Sequence, residues 1–196
     1  MSDAVSTRLQ EHIINALLLL PYAAFLEVVR QVLSEAGYQN VRAIRRGEER
    51  NDFGGIDLLA DARSGLVSRP VVIRAKQSIE PVQKRAVHEL IGTCIVAGGG
   101  HGVIVSTSPF SKAALVAAGS QSIVPLALVG RDELASLMVH HRIGVSDHSG
   151  TLSIDRAFFE GLAACADSAQ NRARKDKASP NISTLTVSVC WDDRMQ

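Results

Sequence analysis

The fold of this chain is decided by two stretches, DFGGIDLLAD at residues 52–61 and PVVIRAKQ at residues 70–77. A glycine pair precedes the first apolar run and a proline opens the second, β-branched run, so both are predicted to be strands. Because side chains alternate along a strand, Arg74 and Lys76 share one face of the second strand. If the two strands pair, Asp57 on the first meets Lys76 on the second.

An acid and a lysine on neighbouring strands suit the hydrolysis of a phosphodiester. The Asp57 carboxylate is a candidate ligand for a divalent metal, which polarises a phosphate and lowers the pKa of a bound water. Lys76 is then a candidate to support the attacking water or the developing negative charge. A simple buried Asp–Lys ion pair is the alternative interpretation of the same two residues.

Other segments support the nuclease interpretation, and they follow one another in a fixed order. They are GGID at residues 54–57, VIRAK at 72–76, VHELIG at 87–92, GVIVSTSPFS at 102–111 and LALVG at 126–130. Together they resemble the Mrr-like restriction endonucleases of the PD-(D/E)XK nuclease superfamily, over about residues 20 to 160. The resemblance implies an α/β fold with a restriction-endonuclease-like core, in which a mixed central β-sheet is flanked by helices in the order αβββαβ.

The same resemblance implies a function. Mrr-like enzymes are metal-dependent DNA endonucleases that act in restriction of foreign or modified DNA, with Mg²⁺ or Mn²⁺ as cofactor. Asp57 and Lys76 match the family's catalytic acid and lysine.

Two positions depart from the family pattern. Arg74 stands where the family has Gln and the wider superfamily has Asp or Glu, and a guanidinium cannot ligate a metal. Leu26 follows Phe25 at the place of a helix acid, and Glu27 comes one residue late, about 100° around the helix.

Composition sets further bounds. The chain has 196 residues, 46% of them hydrophobic, and a formal net charge of +1, which fits one globular domain with an extension. We find no apolar run of membrane-spanning length, no signal-peptide start and no cysteine framework, so a cytoplasmic location is expected.

A charge of +1 means that attraction to DNA must come from local patches. The candidate nucleic-acid contacts are Arg42, Arg45, Arg46, Arg50, Ser106 and Thr107. The arginines crowd one predicted strand and its turn, where a solvated face is the alternative. The two hydroxyl residues end a later strand, where they contact phosphate or cap the next helix.

The chain is expected to divide into four segments: an N-terminal helical segment at residues 1–20, the nuclease domain at 21–167, a polar linker at 168–181 and a strand-like extension at 182–196. Strands are predicted at 41–46, 56–60, from 71, at 102–106 and at 123–128. Helices are predicted at 7–20, from Pro21 to Gly37, from Pro81 to the glycines at 98–100, and at 111–119, 131–140 and 155–167.

Three functional hypotheses remain open. The first is a metal-dependent DNA endonuclease, expected to pair as a homodimer to cut both strands. The second is a nuclease fold that has lost catalysis and serves as a DNA-binding or interaction module, with a protein partner in a defence assembly. In the third, Arg74 itself contacts the scissile phosphate and metal binding is weak.

Overall fold

A computed structural model describes residues 2–44, 56–98, 100–120, 124–148 and 150–178. Helices and strands alternate along these ranges. They are α1 Ser2–Leu19, α2 Tyr22–Glu35, β1 Gln39–Ala43, β2 Leu58–Ser64, β3 Val67–Lys76, α3 Lys84–Val96, β4 His101–Ser106, α4 Lys112–Gly119, β5 Leu126–Val129, α5 Arg131–His140, β6 Val145–His148, β7 Thr151–Ile154 and α6 Arg156–Ala178.

Five strands form one mixed sheet in the order β1-β2-β3-β4-β5. The first three pair antiparallel, and β3, β4 and β5 pair parallel after helical crossovers. The strand β3 is therefore central, with Ile73 opposite Leu58 on one side and Val103 on the other. The predicted fold class, a mixed sheet with helices on both faces in the order αβββαβ, is confirmed.

The two faces of the sheet bury separate apolar clusters. On one face Ile73 packs with Phe25 of α2 and Leu17 of α1. On the other face Val72 packs with Leu90 of α3. Alternation along β3 therefore works as the sequence predicts, because consecutive residues enter opposite layers.

Helix α1 belongs to the main core, although residues 1–20 were predicted as a separate segment. Ile13 and Leu17 are fully buried in the same cluster as Phe25. Pro21 breaks the helix and serves as the N-cap position of α2, as expected from its fixed φ and missing N–H. Within the described ranges, no helix combines the length and apolarity that a membrane crossing requires.

The C-terminal helix is longer than predicted. Residues 155–167 were expected to be helical and 168–181 to be a linker, but α6 continues to Ala178. The linker interpretation is therefore wrong for 168–178, where alanine, arginine and lysine favour a helix. The strand predicted in the extension at 182–196 lies outside the described residues.

Strand boundaries also differ from the prediction by a few residues. β1 begins at Gln39 rather than Val41. β2 and β3 run to a tight turn around Gly65, which has φ +60, so the connection predicted at residues 61–65 is mostly strand. The hairpin of β6 and β7 was not predicted. The end of α2 was predicted correctly. Gly37 has φ +93, which lets the Tyr38 N–H donate a hydrogen bond to the Leu33 carbonyl at 3.0 Å.

Candidate active site

A surface cleft of about 600 Å³ lies where β3 ends and α3 begins. Its walls carry charged and polar side chains from the end of the strand, the connecting loop and the first turns of the helix. The charged members are Arg74, Lys76, Glu80, Arg85 and Glu89. Lys76, predicted to be catalytic, therefore faces an open cleft.

The loop from Gln77 to Gln83 is fixed at both ends by hydrogen bonds. The Gln77 Nε2 donates to the carbonyls of Leu17 and Leu20, both at 2.7 Å, which ties the loop to the end of α1. The Val82 N–H donates to the Pro109 carbonyl at 2.9 Å, which ties it to the segment after β4. A wall held from two sides keeps the cleft charges in defined positions.

Asp57 lies immediately before β2 and is held by three hydrogen bonds. Its N–H donates to Ile73 at 3.1 Å, its carbonyl accepts from Ile44 at 3.0 Å, and its Oδ2 accepts from the Ala75 N–H at 2.8 Å. The carboxylate therefore lies beside the backbone between Arg74 and Lys76. The direct approach of this carboxylate to the Lys76 ammonium stays a prediction.

Arg74 and Lys76 point into the layer between the sheet and α3, as alternation predicts. Ala75 between them is buried in the opposite cluster, while Val72 belongs to the cluster of α3 and α4. Among the described residues, none pairs with the Lys76 ammonium. Its charge is therefore available to a ligand in the cleft.

Arg74 forms an ion pair that the sequence analysis did not anticipate. Its Nη1 lies 2.7 Å from the Glu89 Oε2, and Arg85 binds the other oxygen of Glu89 through Nε at 2.8 Å. The Arg74 side chain is 14% exposed, that of Glu89 37% and that of Arg85 88%. The hydrogen bonds from Arg74 and then Arg85 hold the pKa of Glu89 below its usual value.

Glu89 and Arg85 are the functional candidates that sequence reasoning missed. The sequence analysis placed Glu89 within the family segment VHELIG and gave Arg85 no role. A spacing of four along a helix predicts contact between these two. The contact of Glu89 with Arg74 joins a helix to a strand, so only the isolated charge within an apolar strand signalled that Arg74 needs a partner.

Ser106 and Thr107 were predicted to contact nucleic acid, but the structure gives them internal roles. Ser106 is 0% exposed and Thr107 2%. The Thr107 hydroxyl accepts from the Ser78 N–H and donates to the Ser78 carbonyl, both at 2.9 Å, and the Ser106 hydroxyl lies 3.0 Å from that of Ser108. The Thr107 hydroxyl joins the end of β4 to the cleft loop, and the Ser106 hydroxyl bonds within its own segment. Neither residue is exposed at the surface.

Of the four arginines predicted to bind DNA, the structure describes Arg42. It is exposed on β1, opposite Leu59 of β2. Leu59 packs in the layer of α3 and α4, and cross-strand partners share a face, so Arg42 is on the face that carries Arg74 and Lys76. Arg45, Arg46 and Arg50 lie outside the described residues.

The first core helix offers no replacement acid at the cleft. Glu27 is bound by Arg30 on its own helix at 2.6 Å and by Gln31 at 3.2 Å, and these bonds lower its pKa. Leu26 packs against the core cluster. The expectation that Glu27 points away from the family position stays a prediction.

The donor set of the described residues does not fit a divalent cation. Mg²⁺ requires near-octahedral oxygen ligands. Asp57 supplies one carboxylate, position 74 supplies a cation, and both oxygens of Glu89 accept from arginines. Within the described ranges, no group of three His, Cys, Asp or Glu side chains lies close enough to hold a metal ion.

Comparison with known proteins gives a family match and several structural matches, two of which are described below. The restriction endonuclease family model Mrr_cat matches residues 19–138, more than half of the chain. No curated protein matches the sequence.

The two solved structures are both larger than this chain. The DNA modification-dependent restriction endonuclease AspBHI is 17% identical with a TM-score of 0.60, over 80% of this chain and 40% of its own. The MspJI restriction endonuclease in complex with a 27-mer oligonucleotide is 21% identical with a TM-score of 0.54, over 85% of this chain and 36% of its own. This chain therefore spans less than half the length of either protein, and the likeness shows a shared fold.

Proposed function

The chain belongs to the Mrr_cat restriction endonuclease family, and we propose that it is a DNA endonuclease domain whose cleft at the end of β3 engages the phosphodiester backbone. The observation that carries the proposal is the Asp57 carboxylate bonded to the β3 backbone between Arg74 and Lys76. Two cations that line the cleft, with an acid bonded to the backbone of the same strand, suit a substrate that is a phosphate diester.

Each residue has a proposed task. Lys76 places its ammonium against a phosphate oxygen and offsets the negative charge that develops there during hydrolysis. Asp57 places its carboxylate on the side of the site from which the water attacks the phosphate. The hydrogen bond that it accepts from the Ala75 N–H keeps the carboxylate in place. Arg42, together with Arg45, Arg46 and Arg50, contacts neighbouring phosphates and supplies the local attraction that a net charge of +1 does not.

The wider biological setting is proposed from the family alone. It comprises restriction of foreign or modified DNA, a cytoplasmic location, a homodimer that cuts both strands, and a protein partner in a defence system. The Mg²⁺ or Mn²⁺ that the family resemblance implies has Asp57 as its proposed ligand, and its second ligand is missing from the described residues.

A second candidate function is favoured by one specific observation. Residue 74 is a guanidinium paired with Glu89 at 2.7 Å, where the family places a metal ligand. A domain with this arrangement binds DNA without cutting it and acts as a recognition or interaction module. The two candidates differ only in cleavage, so an assay of binding and cutting on the same protein separates them.

The experiment incubates supercoiled plasmid with pure protein in Mg²⁺ and in Mn²⁺, and measures nicking and linearisation beside DNA binding. Asp57→Ala and Lys76→Ala are compared with Asp132→Ala and Lys112→Ala, which change exposed residues at the starts of α5 and α4. We expect wild-type cutting that the first two substitutions abolish and the other two preserve.

Other outcomes decide between the candidates. If the wild type binds DNA but cuts it with neither metal, the endonuclease proposal fails and the binding module stands. If the wild type neither binds nor cuts, both proposals fail.

A further inference from the structure

We infer that the cleft is a metal-independent phosphate site, in which Arg74 grips a backbone phosphate of DNA and Glu89 acts as a positioning residue that aims its guanidinium. The inference rests on the proposed function, because it names the ligand of the same cleft. It also gives a reason for the cation at position 74. In the family, position 74 carries a metal ligand, whereas in this chain the side chain at position 74 binds the phosphate directly.

The guanidinium of Arg74 has donors to spare. One N–H, on Nη1, is bound to Glu89, and among the described residues none accepts from the others. A guanidinium carries five N–H groups in a planar fork, a shape that matches two oxygens of one phosphate. A partner that occupies one edge leaves the other edge for such a ligand.

Glu89 restricts where that free edge points. The Arg74 side chain is largely buried between β3 and α3, so its position is set by what it touches. Glu89 is itself held from its far side by Arg85. The chain Arg85–Glu89–Arg74 therefore fixes one end of the guanidinium before any ligand arrives, which lowers the entropy lost on binding.

Charge in the cleft favours an anion. Arg74, Lys76 and Arg85 contribute three positive charges to its walls, and Glu80 and Glu89 contribute two negative charges. Lys76 is two residues from Arg74 on the same face of β3, so both cations reach one ligand from the same strand. Asp57 is bonded to the Ala75 N–H beside the same strand and offsets the net charge of the lining. The Lys76 ammonium and the N–H groups of Arg74 that Glu89 leaves free, rather than the sum of charges, suit a phosphate and oppose a divalent cation.

The test uses variants that keep every charge, so that simple electrostatics predicts no change. Binding of a short fluorescein-labelled DNA duplex to the full chain is followed by anisotropy in EDTA, across a range of salt concentrations. Arg74→Lys keeps the cation but loses the fork, and Glu89→Asp keeps the anion but shortens it. The matched controls are Lys84→Arg, an exposed residue at the start of α3 outside the cleft lining, and Glu80→Asp.

We expect Arg74→Lys and Glu89→Asp to weaken binding by about fivefold or more with an unchanged salt slope, while the two controls stay within about twofold. A further variant, Arg74→Gln, removes one phosphate contact. It should lower the salt slope by about 0.9, which corresponds to about eightfold weaker binding at 0.1 M salt. Urea unfolding of each variant establishes that the compared proteins are folded.

The remaining outcomes separate this inference from the proposed function. Wild-type affinity in Arg74→Lys and Glu89→Asp overturns the inference while the proposed function stands. Binding that appears only when Mg²⁺ or Mn²⁺ is added also overturns the inference alone. Absence of binding with and without metal overturns both.

Discussion

Replacing Glu89 by glutamine tests how strongly the ion pair of the cleft stabilises the fold. The two charges of Arg74 and Glu89 lie about 4 Å apart, which corresponds to about 4 kcal/mol at an effective dielectric near 20 and about 1 kcal/mol in bulk water. Glu89 is more than a third exposed and Arg74 is not, so the pair lies between these limits. After the cost of desolvation and side-chain ordering, we expect a coupling of about 1 to 1.5 kcal/mol.

The other partner of Glu89 provides an internal comparison. Arg85 is 88% exposed and lies one helical turn before Glu89, so its coupling should be about 0.3 to 0.5 kcal/mol. Urea unfolding of Glu89→Gln, Arg74→Gln, Arg85→Gln and the two double variants gives both couplings as double-mutant cycles. A coupling to Arg85 equal to or larger than that to Arg74 would contradict the structure.

The same pair predicts a dependence on pH. The pKa of Glu89 is lowered in the folded protein, so the unfolded chain takes up protons at a higher pH than the folded one. The stabilisation is therefore complete above the unfolded pKa of about 4.3 and is lost as pH falls through the lower folded pKa. The stability difference between wild type and Glu89→Gln should be constant at neutral pH and shrink below about pH 4. A difference that persists unchanged in acid would refute the assignment to Glu89.

Two further predictions concern the apolar layer between β4 and α3. Gly102→Ala should lower the free energy of unfolding by about 1 to 3 kcal/mol, because an added Cβ would lie 2.6 Å from Leu126 and 2.9 Å from Leu90. Urea unfolding measures this change. An unchanged midpoint would show that β4 and α3 are not packed this closely. Burial raises the pKa of the Cys94 thiol to about 11. Alkylation of the native protein at pH 8 should therefore modify the exposed Cys165 and spare Cys94, as measured by peptide mass spectrometry. Equal labelling of the two cysteines would contradict the burial of Cys94.

The fold was predictable where local pattern and tertiary packing agree. Alternation along residues 71–76 assigned each side chain to the correct layer, because both faces of a central strand are covered and a slip of one residue would bury charge. Helix α5 has the predicted bounds, with Gly130 before its first turn and Leu134, Ala135 and Met138 buried against the core. The order of elements followed from these signals.

Predictions failed where the same amino-acid composition is typical of two different structures. The segment SAQNRARKDKA at residues 168–178 is polar and charged, which is typical of a linker, yet alanine, arginine and lysine are also strong helix formers. The hairpin of β6 and β7 was missed because its strands have four residues each and carry polar side chains.

The sequence predicted the candidate residues that lie on the strands, but it did not predict the contact between β3 and α3. Arg74 and Lys76 were identified from a sequence pattern of period two, which a strand imposes on itself. The partner of Arg74 is fifteen positions later on α3, and its side of that helix looks solvated in the sequence. The isolated guanidinium in an apolar strand was the one signal, and it indicated a need for a partner without identifying Glu89.

The pair of Arg74 and Glu89 also decides how the two candidate functions relate to each other. An unpaired cation about 6 Å from a divalent ion costs several kcal/mol at an effective dielectric near 20, unless its side chain turns towards solvent or a phosphate. Instead its charge is met within the fold at 2.7 Å. A phosphate in the cleft binds the edge of Arg74 that Glu89 leaves free, whereas a metal ion competes with Arg74 for Glu89. In Arg74→Gln, affinity for DNA should therefore fall while affinity for a metal ion rises.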